Sequence, residues 1–234
     1  MIQFNGKNTD DFHLILNPDV SFTAPKRNEQ QEKIIGLDGE IFYGDDTFSN
    51  VEQSFPFQYI GDDIDRDSVL ISNWLNMDNR WHELQFKGRP DQVYLAKYTE
   101  QLNIQRTLKY YGKAILTFTI KPYFFLKSGL SELNLGSSIT NPTNRCAHPR
   151  LKIIGTGNMT IQIGKEKLSL KNVDGGVIVD SLYNTVTNLT GTKAAWDKVT
   201  SYPLPVIYPG KQNILVTGTI NKVTVIPRWE MLVG

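Results

Sequence analysis

The chain has 234 residues, 40% of them apolar and 21% charged, enough for one large domain or two small ones with a real core. That balance, with a mean hydropathy of −0.31, argues against both a disordered chain and a membrane protein. Twenty-five basic and twenty-four acidic side chains leave a net charge of +1 with no long block of one sign, so duplex nucleic acid is a poor partner: its affinity rests on clustered Lys and Arg.

The opening Met1–Asp11 carries neither a basic leader nor an apolar signal stretch, and no apolar run nears the roughly 18 residues of a membrane span. A soluble chain that is not exported is expected. Asn5-Gly6 and Asp38-Gly39 supply residues that accept positive φ in tight turns. Between them Ala24-Pro-Lys-Arg-Asn-Glu-Gln-Gln-Glu-Lys33 is polar and extended, either a belt reaching a neighbouring subunit or a solvated loop.

Asp62-Asp-Ile-Asp-Arg-Asp67 places carboxylates at alternate positions, as a calcium loop does. The sixth residue from Asp63 is Ser68 rather than Gly, and the twelfth is Trp74 rather than Glu. Acids complementing the dipole of a helix N-terminus explain the run better. A helix follows, capped by Asp65 or Asp67, with Val69, Leu70, Trp74 and Met77 recurring at three- and four-residue steps.

Beyond it the periodicity is two, as in Lys113–Ile120, Asn158–Ile163 and Lys222–Ile226, which predicts β-strands. Turn residues punctuate them at Tyr111-Gly112, Asp174-Gly-Gly176 and Pro209-Gly210. Gly155-Thr-Gly157 lacks the third glycine of a dinucleotide fingerprint and reads as a hairpin turn. Thr192–Lys198 predicts a weaker helical turn. Lys127–Pro142 is rich in Ser, Asn and Gly and poor in β periodicity, so a boundary is expected near 126 to 140. The division is set at 1–132, an α+β domain, and 133–234, an all-β domain. Short strands with frequent turns point to sandwiches or barrels.

Cys146 is the only cysteine, so no internal disulfide is possible. With His148 it supplies two ligands where structural zinc needs four, and His13 and His82 show no ligand-like pairing. No metal and no cofactor are expected. Neither a Gly-x-Ser-x-Gly elbow nor a phosphate loop nor a His-Glu-x-x-His helix occurs, so no catalytic residues are assigned and the chain is not expected to be an enzyme. A two-carboxylate glycosidase site has no local signature and stays open. Trp74, Trp81, Trp196 and Trp229 fit cores and subunit contacts better than a sugar platform, with Trp196 the candidate sugar contact.

Several stretches stand out in order. In the first half they are Phe4-Asn-Gly-Lys-Asn-Thr-Asp-Asp-Phe12, Gly36-Leu-Asp-Gly39, the helix near 66 to 76, Pro90-Asp-Gln-Val-Tyr-Leu-Ala96 and Gly112–Tyr123. The second half contributes Pro149–Asn158, Val179-Asp180, Pro205-Val-Ile-Tyr-Pro-Gly210 and Val225-Ile-Pro-Arg-Trp229. Together they resemble the distal tail protein (Dit) family of siphophages infecting Gram-positive bacteria; residues 184 to 203 carry no pattern that transfers.

The resemblance implies a hexameric ring at the tail tip or baseplate of the virion, assembled in the host cytoplasm. Such a ring joins the major tail tube protein to the tail-associated hub protein and the receptor-binding or baseplate proteins. It also implies an N-terminal ring-forming, β-sandwich-like domain with one notable helix and a C-terminal β-sandwich that is galectin-like or resembles a carbohydrate-binding module. Neither nucleic-acid sequence recognition nor membrane insertion is implied. The alternative is a module, in residues 137 to 224, that adsorbs to host cell-wall polysaccharide. A closed ring uses heterologous contacts, one patch against a different patch, so the chain must expose two complementary surfaces. Ile71, Trp74 and Leu75 on the helix, with Trp81 after it, are the expected interface residues, because apolar groups around most of a short helix need cover on more than one side.

Overall fold

A computed structural model describes residues 1–234 as a mainly β chain with a single α-helix and curled, β-sandwich-like sheets. It forms two compact units, Met1–Phe124 with Leu232–Gly234, and Phe125–Met231. The chain therefore leaves the first unit once and returns to it with its last three residues. The sequence set the division after residue 132, whereas the compact units part at Phe124/Phe125. The reason is packing: Gly129 lies against Trp229, so the Ser- and Gly-rich stretch begins inside the second unit.

The first unit strings together β1 (Ile2–Phe4), β2 (Lys7–Asn8), β3 (Leu14–Leu16), β4 (Arg27–Glu32), β5 (Ile41–Phe48) and β6 (Val51–Ile60). After α1 (Ile64–Leu75) come β7 (His82–Phe86), β8 (Gln92–Tyr98), β9 (Ile104–Leu108) and β10 (Tyr111–Leu126). Its sheet runs β2-β1-β7-β8-β10-β6-β3, with β9 also on β10. Asn5 and Gly6, at φ 50° and 75°, form the two-residue turn that closes β1 on β2, as their sequence predicts. Along β10 the residues Ala114, Leu116, Phe118 and Ile120 are buried and those between them face outward, which fixes the register against β6.

Asp63, not Asp65 or Asp67, caps α1, accepting from the Asp65 and Arg66 amides at 3.1 and 3.3 Å. The buried stripe is Ile64, Asp67, Ile71, Trp74 and Leu75. Val69 and Leu70, expected to line the apolar face, point outward, and Met77 lies beyond the helix end.

In the second unit β11 (Leu133–Asn134), β12 (Ser138–Asn141), β13 (Arg150–Ile163), β14 (Glu166–Val173), β15 (Gly176–Asp180), β16 (Thr185–Asn188) and β17 (Gly210–Ile226) form one sheet. Its order is β11-β17-β13-β15-β16, with β12 on β17 and β14 on β13. Thr192–Lys198 yields only a short 3-10 turn at Trp196–Lys198.

Gly155 and Gly157 do not make a hairpin turn. They lie inside β13, where its pairing with β17 shifts register between Ile154 and Gly155 and again before Met159. Both β14 and β15 pair with β13, one beyond the other, so Asp174-Gly-Gly176 interrupts one edge rather than reversing the chain. Backbones pass very close here: a Cβ on Gly155 would sit 2.5 Å from the Thr219 carbonyl oxygen, and one on Gly218 would sit 2.4 Å from that of Asn158. Gly155 and Gly218 thus let β13 and β17 pass closely where their register shifts.

Candidate functional site

The strands β4 and β5 pair only with each other, as a two-stranded ladder separate from both large sheets. The ladder is held at its base, where the Ser49 amide donates to the Lys26 carbonyl at 2.9 Å. There the Arg27 guanidinium lies 4.8 Å from the Phe48 ring centroid, and Phe48 meets Tyr123 edge-on at 6.2 Å. Above the base nothing in the chain covers it. Ile34, Ile35 and Leu37 in the connection and Ile41, Phe42 and Tyr43 on β5 are all exposed, Ile35 completely. An isolated two-stranded hairpin is marginal in water, and this one displays apolar side chains besides.

A second apolar surface lies on the outward face of β10, β6 and β3. Ile115 pairs with Pro56, and Ile15 pairs with Gln58, beyond which Ile60 also stands exposed. Beside Ile115 runs a groove of about 360 Å³ whose lining includes Asn17, Pro56, Lys113 and Ile115.

The residues expected to form the interface separate. Ile71, Trp74 and Leu75 are 0%, 3% and 3% exposed, so their apolar area is spent inside their own unit. Trp74 stacks on Phe12 at 4.5 Å and donates its Nε1–H to the Phe4 carbonyl at 3.1 Å, a core position in every respect. Trp81 alone of the four is half-exposed, with the Lys97 and Lys121 ammonium groups 5.4 and 5.2 Å from its ring centroid. Trp196, the candidate sugar contact, is 38% exposed in its 3-10 turn. Sequence reasoning did not single out Val69, Leu70 or Ile115 as exposed; of the hairpin it had the extended Ala24–Lys33 segment and the Asp38-Gly39 turn but not the pairing of the two strands. A further signal was Ile34-Ile35, an adjacent apolar pair beside a polar segment.

The titratable groups form pairs and small clusters. His13 Nδ1 lies 3.1 Å from Asp67 Oδ2, which also accepts from the Tyr59 hydroxyl at 2.8 Å, while Arg66 Nε donates to Asp67 Oδ1 at 2.8 Å. The Arg66 bond leads in holding the Asp67 carboxyl below its usual range, and burial leads in pushing Tyr59 up to about 12. His82 pairs with Asp78 at 2.7 Å, and the bond from the Arg80 amide leads in depressing Asp78. Burial raises the Cys146 thiol, opposite to what a nucleophile or a metal ligand requires. No group of three or more His, Cys, Asp or Glu side chains is placed to hold a metal ion.

No protein-family model and no curated protein matches this sequence. One solved structure similar to it is the crystal structure of SPP1 Dit, described as a paradigm of the hub adsorption apparatus in phages that infect Gram-positive bacteria. The two superpose with a TM-score of 0.69 at 13% identity, covering 96% of this chain and 96% of that one. The fold is Dit-like. At that identity the likeness to Dit carries backbone architecture and no side-chain site.

Proposed function

We propose that this chain is a structural component of a phage tail tip. In this reading it forms a closed homo-oligomeric ring, hexameric as the family resemblance implies, between the tail tube and the hub and host-adsorption proteins. In the same reading the first unit closes the ring and the second is galectin-like. The observation that carries it is the Dit-like fold over 96% of both chains.

The uncovered hairpin supports the same reading on energetic grounds. Five of the six apolar side chains are already about half buried, so covering what remains contributes about 5–10 kcal/mol at about 1.5–3 kcal/mol per fully exposed side chain, within the roughly 4–15 kcal/mol that association costs. A neighbouring copy is the one partner guaranteed to be present at matching concentration.

Light scattering with electron imaging of the purified protein tests this. The expected result is a pierced disc with a mass near 160 kDa, six chains of 26.6 kDa. A stable 26.6 kDa monomer at high concentration is the opposing result.

A further inference from the structure

We propose that a row of three cations on the outer face of the second unit, Arg150, Lys152 and Lys222, binds a phosphodiester polymer whose linking units are polyols or sugars. This goes beyond the ring reading and does not depend on it.

Charge comes first. The net charge of +1 conceals a division: Phe125–Met231 holds twelve basic and six acidic side chains, a net +6, while the first unit holds thirteen and eighteen, a net −5. Most of the six acids are already engaged. Asp180 gives both oxygens to Arg228, Asp197 pairs with Lys198, and Glu230 and Glu166 accept from His148 and the Tyr208 hydroxyl. The basic excess is left to the surface, and such asymmetry within one chain points to an anionic partner.

Register gathers three of these cations. Along β13, Leu151 and Ile153 enter the core, so Arg150, Lys152 and Ile154 face the other way. Lys222 on β17 stands opposite Ile154 and shares that face. Two residues along a strand span about 7 Å, and the diagonal step from Lys152 to Lys222 about 8 Å, so the three form a nearly even row. Arg150 stands across from Asp180, whose oxygens Arg228 has taken. A second carboxylate, Glu132, accepts from the Thr224 hydroxyl; that bond leads in holding it below its usual range, against burial and with the help of the Lys152, Lys222 and Arg150 charges. Three cations around Glu132 leave two positive charges uncompensated.

The rest of the face selects the occupant. An even row suits a repeating charge better than a single phosphate. No aromatic residue occurs in β13, β15, β16 or β17, so a nucleic-acid base finds nothing to stack on. Ile154, Ile178 and Ile226 on the same face are half-buried or buried, and Lys is depleted from protein contact surfaces, so an acidic protein fits poorly. Thr185 and Thr187, on the far side of β15, offer hydroxyls to the linking units.

The test uses the full chain and a poly(glycerol phosphate) probe, with affinity read by calorimetry over a salt series. Affinity should fall linearly in logarithmic salt. Lys152→Gln with Lys222→Gln should weaken binding about tenfold or more and flatten that slope by about 0.7 for each lysine removed. Lys165→Gln with Lys211→Gln, an equal loss of charge at exposed positions on the other end of the sheet, should leave both nearly unchanged. All variants should keep the circular dichroism spectrum and the light-scattering mass of the wild type, so binding and assembly are read separately. No binding at low salt, or an equal loss in both pairs of variants, overturns the site. Tighter binding of oligothymidylate or polyglutamate than of poly(glycerol phosphate) overturns the class of partner.

Discussion

Arg228 lays its guanidinium flat against the carboxylate of Asp180, Nη1 at 2.6 Å from Oδ1 and Nη2 at 2.8 Å from Oδ2, with both side chains largely buried. Arg228 adopts a φ of 56° and sits just before the chain leaves the second unit at Met231. Its amide also donates to the Gly129 carbonyl at 2.8 Å, so the returning segment is tied to the start of the unit as well as to the end of β15.

Removing one partner leaves the other charge buried alone. Arg228→Ala is expected to cost about 3 kcal/mol in stability, whereas Arg228→Met with Asp180→Leu should recover most of it, because the desolvation cost disappears with the charges. Thermal unfolding of the single and double variants checks this. A single variant as stable as the wild type would show that the pair contributes nothing.

Two residues further on, Glu230 makes stability depend on pH. It is buried, and His148 Nδ1 donates to its Oε1 at 2.8 Å. That bond holds the His148 proton, raising its pKa above the ordinary 6.5, against opposing effects of burial and of the Arg145 and Arg228 charges. A raised folded pKa means the contribution is whole below pH 6.5 and is lost as pH climbs through the folded value. The denaturation midpoint should therefore fall across that window in the wild type and vary less in His148→Gln. Parallel profiles for the two proteins would exclude the coupling.

Within the second unit the same returning segment also depends on a close approach. A Cβ on Gly129 would lie 2.6 Å from both Cδ1 and the backbone nitrogen of Trp229. An indole can swing aside, whereas the nitrogen belongs to the main chain. Gly129→Ala is expected to destabilise by about 1–3 kcal/mol, read as a lowered unfolding midpoint, with Ser128→Ala as the neutral control. An unchanged midpoint would mean that the segment shifts freely.

These features divide by how local their cause is. The helix was legible because caps and three- and four-residue spacing act within a dozen residues, and the alternation in β10 because one of its faces is buried. The cap was misplaced by two or more residues, since Asp67 looks like a cap and instead turns inward to Tyr59 and His13. The β4–β5 ladder was illegible because nearly all its residues are exposed, and a strand with no buried face has no reason to alternate. Apolar spacing in Ile71, Trp74 and Leu75 reads the same whether the cover comes from the same chain or from a neighbour. Gly155 and Gly218 each meet the facing strand of the β13–β17 pair, whose members are distant in sequence, so no local pattern encodes the contact.

The hairpin itself yields the most direct prediction. Arg27 and Phe48 face each other at the base of the ladder, so residues 28 to 47 can be replaced by Asn-Gly, a pair suited to closing two strands with a tight turn. The Phe48–Tyr123 contact stays, and none of the two large sheets is touched. The shortened chain should therefore keep its unfolding temperature, while sedimentation should show it monomeric at concentrations where the full chain assembles. If the shortened chain assembles as the full one does, the hairpin is not the connecting arm. If it unfolds, the ladder is instead a structural part of its own unit, and the exposed isoleucines need another explanation.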